Sequence, residues 1–422
     1  MGDREIVVVS AVRTPFSRFG GVLRDVPSII LGAMAIREAV ARAGLRNGEI
    51  DEVYYGACKP AETALENDVP DRQAVLEAGL SPQTLSFTVD RACCASLTAV
   101  RLASRSIRWG DREICIAAGA ENMSRIPFLL PGLRWSGHRI GTLELYDDLF
   151  DMGYKGWNSI SRKAAEIHLD FKGWNAVARD AGEVAVEYGV SREEQDEWAL
   201  RSQQNYAKAF AAGKFKIGEE LMSVKVTPKK GNPIVFEKDE APRADTTLEK
   251  LAKLPTIYGS PTVTAGNAPG LDAGGSAVVL MTKEKALERG LTPLGTILSV
   301  EGVADEARLL ASVPAPAIRK ALSVAKLDLK DVHLIEVNEA FAVMPLVSSK
   351  VLADGDAKKM KEIREKMNVN GGAIAIGHPV GASGARILMT LIYELRRRGG
   401  GIGACGICGG LAQGEAAVVK VG

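Results

Sequence analysis

Three segments far apart in the chain each set a reactive group beside glycine or another small residue: Asp90-Arg91-Ala92-Cys93, Gly377-His378-Pro379 and Cys405-Gly406-Ile407-Cys408-Gly409-Gly410. Two thiols and one imidazole brought to a shared pocket would be equipped to pass acyl groups between thiols. A thiolate is the reactive form of cysteine, and a neighbouring base raises its availability. Cys93 follows a strand-like run, Leu85 to Val89, and precedes a helical pattern from Ser96 to Trp109 that Gly110 closes. Backbone N–H groups at such a turn would favour the Cys93 thiolate and could hold an oxyanion on an attacked thioester. The alternative for any one cysteine is burial as a small hydrophobe, and that is the expectation for Cys94.

His378 is one of four histidines, flanked by Gly377 and by Pro379, which narrows the local conformation. The Cys405 and Cys408 spacing could also belong to a redox pair or half a zinc site. Glycine crowds both sides of it, and two further ligands are not evident nearby, so a second acid/base thiol at Cys408 is the simpler reading. Asn338 and Glu339 follow the apolar run from His333 to Val337, where an amide could anchor a water beside His378 or merely cap the next helix. The glycine-rich runs lack a complete dinucleotide or Walker fingerprint.

These groups need a scaffold. A chain of 422 residues with 46% hydrophobic content can bury a large core and divide into two or three domains. Its 53 Lys and Arg against 52 Asp and Glu leave a formal charge of +1, which provides no broad cationic face for nucleic acid. The start of the chain lacks a signal-peptide core and no run approaches the length of a membrane helix, so a cytoplasmic protein is expected. Six cysteines are too few for a disulfide scaffold at this length, and reduced thiols are expected.

Apolar patterning predicts strands at Ile6 to Val12, Val53 to Gly56 and Ile114 to Ala118, and a helix over Ile30 to Ala43. A similar order returns near the end, with a helix over Gly381 to Arg398 stopped at Gly399 and a last strand over Ala416 to Val421. Two related βα-rich halves are therefore expected. Between them, Met123 to about Leu251 changes texture, with a strongly helical stretch over Val177 to Phe210 in which Ser191 reads as an N-cap.

With these residues in hand, the chain resembles the thiolase family along nearly its whole length. Val12-Arg13-Thr14-Pro15-Phe16, Ala118-Gly119-Ala120-Glu121-Asn122-Met123-Ser124, Asn338-Glu339-Ala340-Phe341, Gly377-His378-Pro379 and Cys408-Gly409-Gly410 stand in the family's order. The resemblance implies a five-layer αβαβα fold of two similar halves plus a loop domain. Its implied boundaries are 1–124 for the N-terminal half, 125–251 for the loop domain, 252–281 for the return and 282–422 for the C-terminal half.

By the same resemblance Cys93 is the nucleophile, His378 activates it, Cys408 is the second acid/base and Asn338 positions an oxyanion-hole water. Gly410 would join the other hole and Glu339 would support the network. The loop with Ala265, Gly266 and Pro269 would approach pantetheine, although Pro269 stands where the family commonly has serine. The usual substrate-loop pattern is absent around Val177 and Arg179, and with Trp157, His168, Phe171 and Trp174 this region would suit a bulky, aromatic or carboxylated acyl group. The implied reaction is cleavage of a 3-oxoacyl-CoA by free CoA through an acyl-cysteine. The alternatives are a biosynthetic acetyl-CoA C-acetyltransferase or a non-catalytic acyl-CoA-binding subunit. No metal or permanently bound cofactor is implied, CoA being a co-substrate, and the expected partners are acyl-CoA and CoA with no nucleic acid or membrane. A homodimer or dimer of dimers is implied, with room for a small zinc-binding OB-fold partner subunit.

Overall fold

The computed structural model describes residues 4–130, 132–134, 137–150, 176–228 and 231–422. Trp157, His168, Phe171 and Trp174 lie outside the described residues. One mixed sheet of nine strands organises the rest. The strands are β1 (Ile6–Arg13), β2 (Glu52–Gly56), β3 (Leu85–Val89), β4 (Ile114–Asn122), β5 (Ala273–Thr282), β6 (Gly295–Ala304), β7 (Leu334–Val337), β8 (Gly401–Gly409) and β9 (Gln413–Val421). Their order across the sheet is β7-β8-β9-β6-β1-β5-β4-β2-β3.

That order contains a repeat. From β1 outward the sheet runs β1-β5-β4-β2-β3, with antiparallel, antiparallel, parallel and parallel pairings. From β6 outward it runs β6-β9-β8-β7 with the same senses, and a parallel bridge from Ile335 to Met367 stands where a fifth strand would. The halves join where β1 pairs with β6, with Ile6 opposite Ile297.

Helices sort into three layers around this sheet. On β1, Ile6 and Val8 belong to one apolar core, whereas Val7 and Val9 belong to another, as alternation along a strand requires. The strand is buried throughout, and apolar from Ile6 to Val9, because both its faces are covered. The core containing Ile6 and Val8 is filled by α3 (Ala95–Trp109) and α8 (Ser383–Arg397), with Leu97, Val100, Ile387 and Leu391 meeting strand residues of both halves. Outside the first half lie α1 (Ser28–Arg42) and α2 (Pro70–Glu77), and outside the second lie α6 (Pro314–Val324) and α7 (Val343–Leu352). The result is the expected αβαβα stack.

The helical stretch of the middle region is two helices, α4 (Val177–Glu187) and α5 (Arg192–Ala211). Gly189, at φ +60°, breaks the run, and Ser191 Oγ accepts the Glu194 N–H at 3.1 Å to start the second helix. This region is bolted to β1 by a fully buried cation. Arg13 donates Nε–H to Glu220 and Nη1–H to Asp239, both at 2.6 Å. Among the described residues no helix is long and apolar enough to cross a membrane.

Candidate active site

Cys93 lies in a one-turn 3₁₀ segment, Ala92–Cys94, between the end of β3 and the start of α3. Ala92 carries φ +51°, in the left-handed region that disfavours a non-glycine residue. Side chains hold the turn from both sides. Asp90 Oδ1 accepts the Ala92 N–H at 3.0 Å, and Arg91 donates Nε–H to Gln413 at 2.8 Å while pairing with the buried carboxylate of Glu415. The first half's nucleophile candidate is thus clamped by β9 of the second half.

His378 reaches it from the other direction. Its Nε2 is 3.2 Å from Cys93 Sγ, and its Nδ1 is 2.6 Å from Ser383 Oγ. The Ser383 hydroxyl spends its proton on Pro379 O at 2.8 Å, so Nδ1 must donate to Ser383. Nε2 is then left with a lone pair facing the thiol. The His378 N–H donates to Asp272 Oδ2 at 2.7 Å, which fixes the backbone of the loop.

Three glycines allow this loop to cross onto the first half. A Cβ on Gly56 would stand 2.7 Å from Ser96 N, one on Gly381 2.6 Å from Ala120 O, and one on Gly119 would collide with Gly381 O. Side chains at these positions would push the imidazole away.

Cys408 hydrogen-bonds to Cys93, and this contact, together with burial, pushes the Cys93 thiol well above its ordinary pKa against the opposing pull of His378. The resting group is a thiol. That corrects the expectation of a favoured Cys93 thiolate: the second sulfur and desolvation outweigh the pull of His378. Cys94 packs in the central core, as expected, and donates Sγ–H to Arg91 O at 3.2 Å.

One cavity of about 730 Å³ receives Cys93, His378, Cys408 and Gly410 together with Ala265, Gly266, Pro269 and Val177. Its apolar wall includes Met123, Leu310 and Val380. Its charges gather at an open rim, where Arg18 is 68% exposed and Arg243 and Lys250 stand near Glu240 and Asp245. Arg179 does not share this wall: it is exposed and paired with Glu183 at 2.9 Å, one helical turn along α4. Val177 and Ala178 face the cavity, and the following position, Arg179, turns to solvent.

Asn338 and Glu339 are buried behind the cavity wall. Asn338 is no helix cap, because α7 begins at Val343; its N–H extends the pairing with β8 by donating to Gly406 O at 3.0 Å. The side-chain Oδ1 accepts Nη2–H of the fully buried Arg386 at 2.9 Å, leaving Nδ2 a buried donor without a partner among the described residues. Such an orphan is expensive unless something outside the chain accepts its proton. Glu339 is fully occupied, accepting from Trp198 at 2.9 Å, Asn368 at 2.8 Å, Ser202 at 2.7 Å and the Ile374 N–H at 3.2 Å. It ties α5 to the strand end and to the segment leading into His378.

Sequence reasoning missed Asp272, Ser383, Arg386 and Cys58. Asp272 lines the cavity, its Oδ1 has no partner among the described residues, and burial raises its carboxyl to a pKa of about 7. Cys58 also lines the cavity, its thiol pushed well above the usual range by burial and then by Glu121. Among the described residues no group of three or more His, Cys, Asp or Glu side chains is arranged to hold a metal ion.

Comparison with known proteins gives this arrangement a lineage. Residues 6–284 match the family model "Thiolase, N-terminal domain" and residues 291–421 match "Thiolase, C-terminal domain". An acetyl-CoA acetyltransferase of Syntrophomonas wolfei is 41% identical over 418 residues, covering 99% of each chain. A β-ketoadipyl-CoA thiolase of Acinetobacter baylyi is 37% identical over 98% of each. The crystal structure of the Bacillus anthracis acetyl-CoA acetyltransferase superposes with a TM-score of 0.88 at 36% identity over 99% of both chains. With both domain models matched end to end, and the fold repeated in a solved relative, the chain belongs to the thiolase family and is an enzyme of CoA-dependent acyl transfer.

Proposed function

We propose that this enzyme interconverts two molecules of acetyl-CoA with acetoacetyl-CoA and CoA, the biosynthetic alternative of the sequence reading. The observation that carries it is the 3.2 Å approach of His378 Nε2 to Cys93 Sγ, with Cys408 hydrogen-bonded to the same sulfur. The acetyl preference is supported by the names of the relatives, of which the first five are acetyl-CoA acetyltransferases. A carboxylated acyl group would call for a cation near the thiols, and among the described residues the cavity-lining cations Arg18, Arg243 and Lys250 are exposed. Lys59 is already paired with Asp148 at 2.7 Å.

In the first half-reaction the Cys93 thiol passes its proton to His378 Nε2 as sulfur attacks the thioester carbonyl of acetyl-CoA. The C–S bond to CoA breaks, the departing thiolate takes the proton from Nε2, and the acetyl group stays on Cys93. In the second, Cys408 Sγ removes an α-proton from another acetyl-CoA. The resulting carbanion attacks acetyl-Cys93, a C–C bond forms, and the Cys93 C–S bond breaks to return the thiol with the proton from Cys408. Asn338, through Nδ2 and a bound water, offers a donor to the enolate oxygen. The Cys93 and Gly410 N–H groups receive the oxyanion of the acylated sulfur, while Glu339 keeps Asn338 in place.

CoA enters as a co-substrate, its pantetheine passing Ala265, Gly266 and Pro269 and its phosphates meeting Arg18, Arg243 and Lys250 at the rim. Residues 1–124 and 252–281 serve as one half, 282–422 as the other, and 125–251 as the substrate-covering loop domain. A homodimer is supported by the unpaired edge of β3, where Leu85 is 51% and Phe87 56% exposed.

Incubation with acetyl-CoA followed by peptide mass analysis tests the proposal: one acetyl group is expected on Cys93. Turnover undiminished in Cys93→Ala would defeat it.

A further inference from the structure

Leu411 is held where its backbone least favours it. It sits at φ 53°, ψ 52°, directly after Gly410 and three residues after Cys408, and Ala412 follows at φ 54°. The left-handed region suits glycine, and a branched side chain retained there points to a role for that side chain. The segment cannot relax, because its flanks are fixed against the Cys93 turn. A Cβ on Gly409 would lie 2.7 Å from Arg91 O, and Gln413 accepts Arg91 Nε–H at 2.8 Å. Ala412 is buried in the core of the second half, and its carbonyl accepts the Asp305 N–H at 3.1 Å.

Leu411 has no such place. Among the described residues it packs with none of the four apolar cores, is only partly exposed, and lines the cavity that holds both thiols. Nearby the cavity wall is apolar, with Leu310 and Val380 in it. An apolar side chain fixed against its backbone preference, one residue from the Gly410 N–H, takes up room that a longer acyl chain on Cys93 would need.

We infer that Leu411 sets the upper limit on acyl-chain length, restricting the group carried by Cys93 to short acyl chains. This rests on the acyl-transfer reading above. The test compares the parent enzyme with Leu411→Gly and Leu411→Ala, using acetoacetyl-CoA and 3-oxooctanoyl-CoA as substrates with CoA. Both variants should raise the ratio of kcat/KM for the longer substrate over the shorter by about tenfold or more, the scale set by a few methylenes in a pocket. Leu411→Gly should also melt higher than Leu411→Ala, since only glycine relieves the left-handed backbone.

An unchanged ratio in both variants overturns the inference, as does a folded variant that loses activity on both substrates alike. A Leu411→Gly protein melting no higher than Leu411→Ala removes the strain argument and overturns it as well. Calorimetric binding of butyryl-CoA and octanoyl-CoA separates this failure from that of the parent reading. If the parent cleaves neither substrate, the proposed function falls, whereas tighter octanoyl-CoA binding in the variants still supports Leu411 as the limit.

Discussion

Ser383 dictates which nitrogen of His378 carries the proton. Its Oγ accepts from Nδ1 at 2.6 Å because its own hydrogen is committed to Pro379 O. Ser383→Ala should therefore release the tautomer and lower kcat by about tenfold, the value of one neutral hydrogen bond near 1.4 kcal/mol, with KM little changed. Ser383→Thr should keep most of the activity. Steady-state kinetics on acetyl-CoA decide it, and a rise in KM at constant kcat would assign Ser383 to binding instead.

Asn338 offers Nδ2 because Arg386 occupies its Oδ1. Asn338→Ala removes one donor from the developing enolate and should lower kcat by about 10² to 10³, the usual cost of an oxyanion-hole donor. Acetylation of Cys93 should persist, since that donor serves the second half-reaction. Single-turnover measurements separate the two steps.

Cys408 and Cys93 share a hydrogen bond but should fail differently when removed. Cys408→Ala should accumulate acetyl-Cys93 and form almost no acetoacetyl-CoA, whereas Cys93→Ala should do neither. Mass analysis after rapid acid quench reads both. Loss of acetylation in a folded Cys408→Ala protein would contradict the division of labour.

Asp272 should leave a signature in the pH dependence of stability. Burial holds its carboxyl near a pKa of about 7 in the folded protein, against an ordinary value of 3.8. Between these values the folded state keeps a proton that the unfolded chain has released, so the stability from this group is complete below about pH 4 and is lost as pH rises toward 7. Asp272→Asn does not titrate and should show a smaller fall in Tm between pH 4.5 and pH 7.5 than the parent does. Glu121, raised to about 8 by burial, contributes with the same sign in both proteins and cancels in the comparison. Parallel Tm curves would show that Asp272 titrates normally.

Gly381→Ala tests the crossing of the His378 loop. Its Cβ would stand 2.6 Å from Ala120 O and 2.8 Å from Gly56 O, both backbone atoms that cannot swing aside. A displacement on the order of 1 Å costs about 10² in rate where reacting atoms must align. The variant should lose that much kcat while still folding, as judged by circular dichroism.

Much of this site was legible in local sequence. Leu85 to Val89 reads as a strand and Ser96 to Trp109 as a helix, so Cys93 had to lie at the turn between them, and Gly110 at φ +88° ends the helix as read. The repeat of the halves was visible in the order of the elements. What escaped were relationships that no local pattern encodes. Asp272 meets His378 across 106 residues, and Arg386 looks like one more cation of an amphipathic helix although it is fully buried against Asn338. The Cys93 thiol was misread because a helix N-terminus is visible in sequence, whereas a desolvating wall with a second sulfur is not.

The contact among Gly56, Gly119 and Gly381 makes the reactive centre a seam. The Cys93 sulfur is carried by one repeat, and the imidazole and the Cys408 sulfur by the other, and they meet only because two backbones touch without side chains between them. Neither repeat alone holds the Cys93 and His378 pair, so the chemistry exists only while the two halves of the chain stay docked along this line.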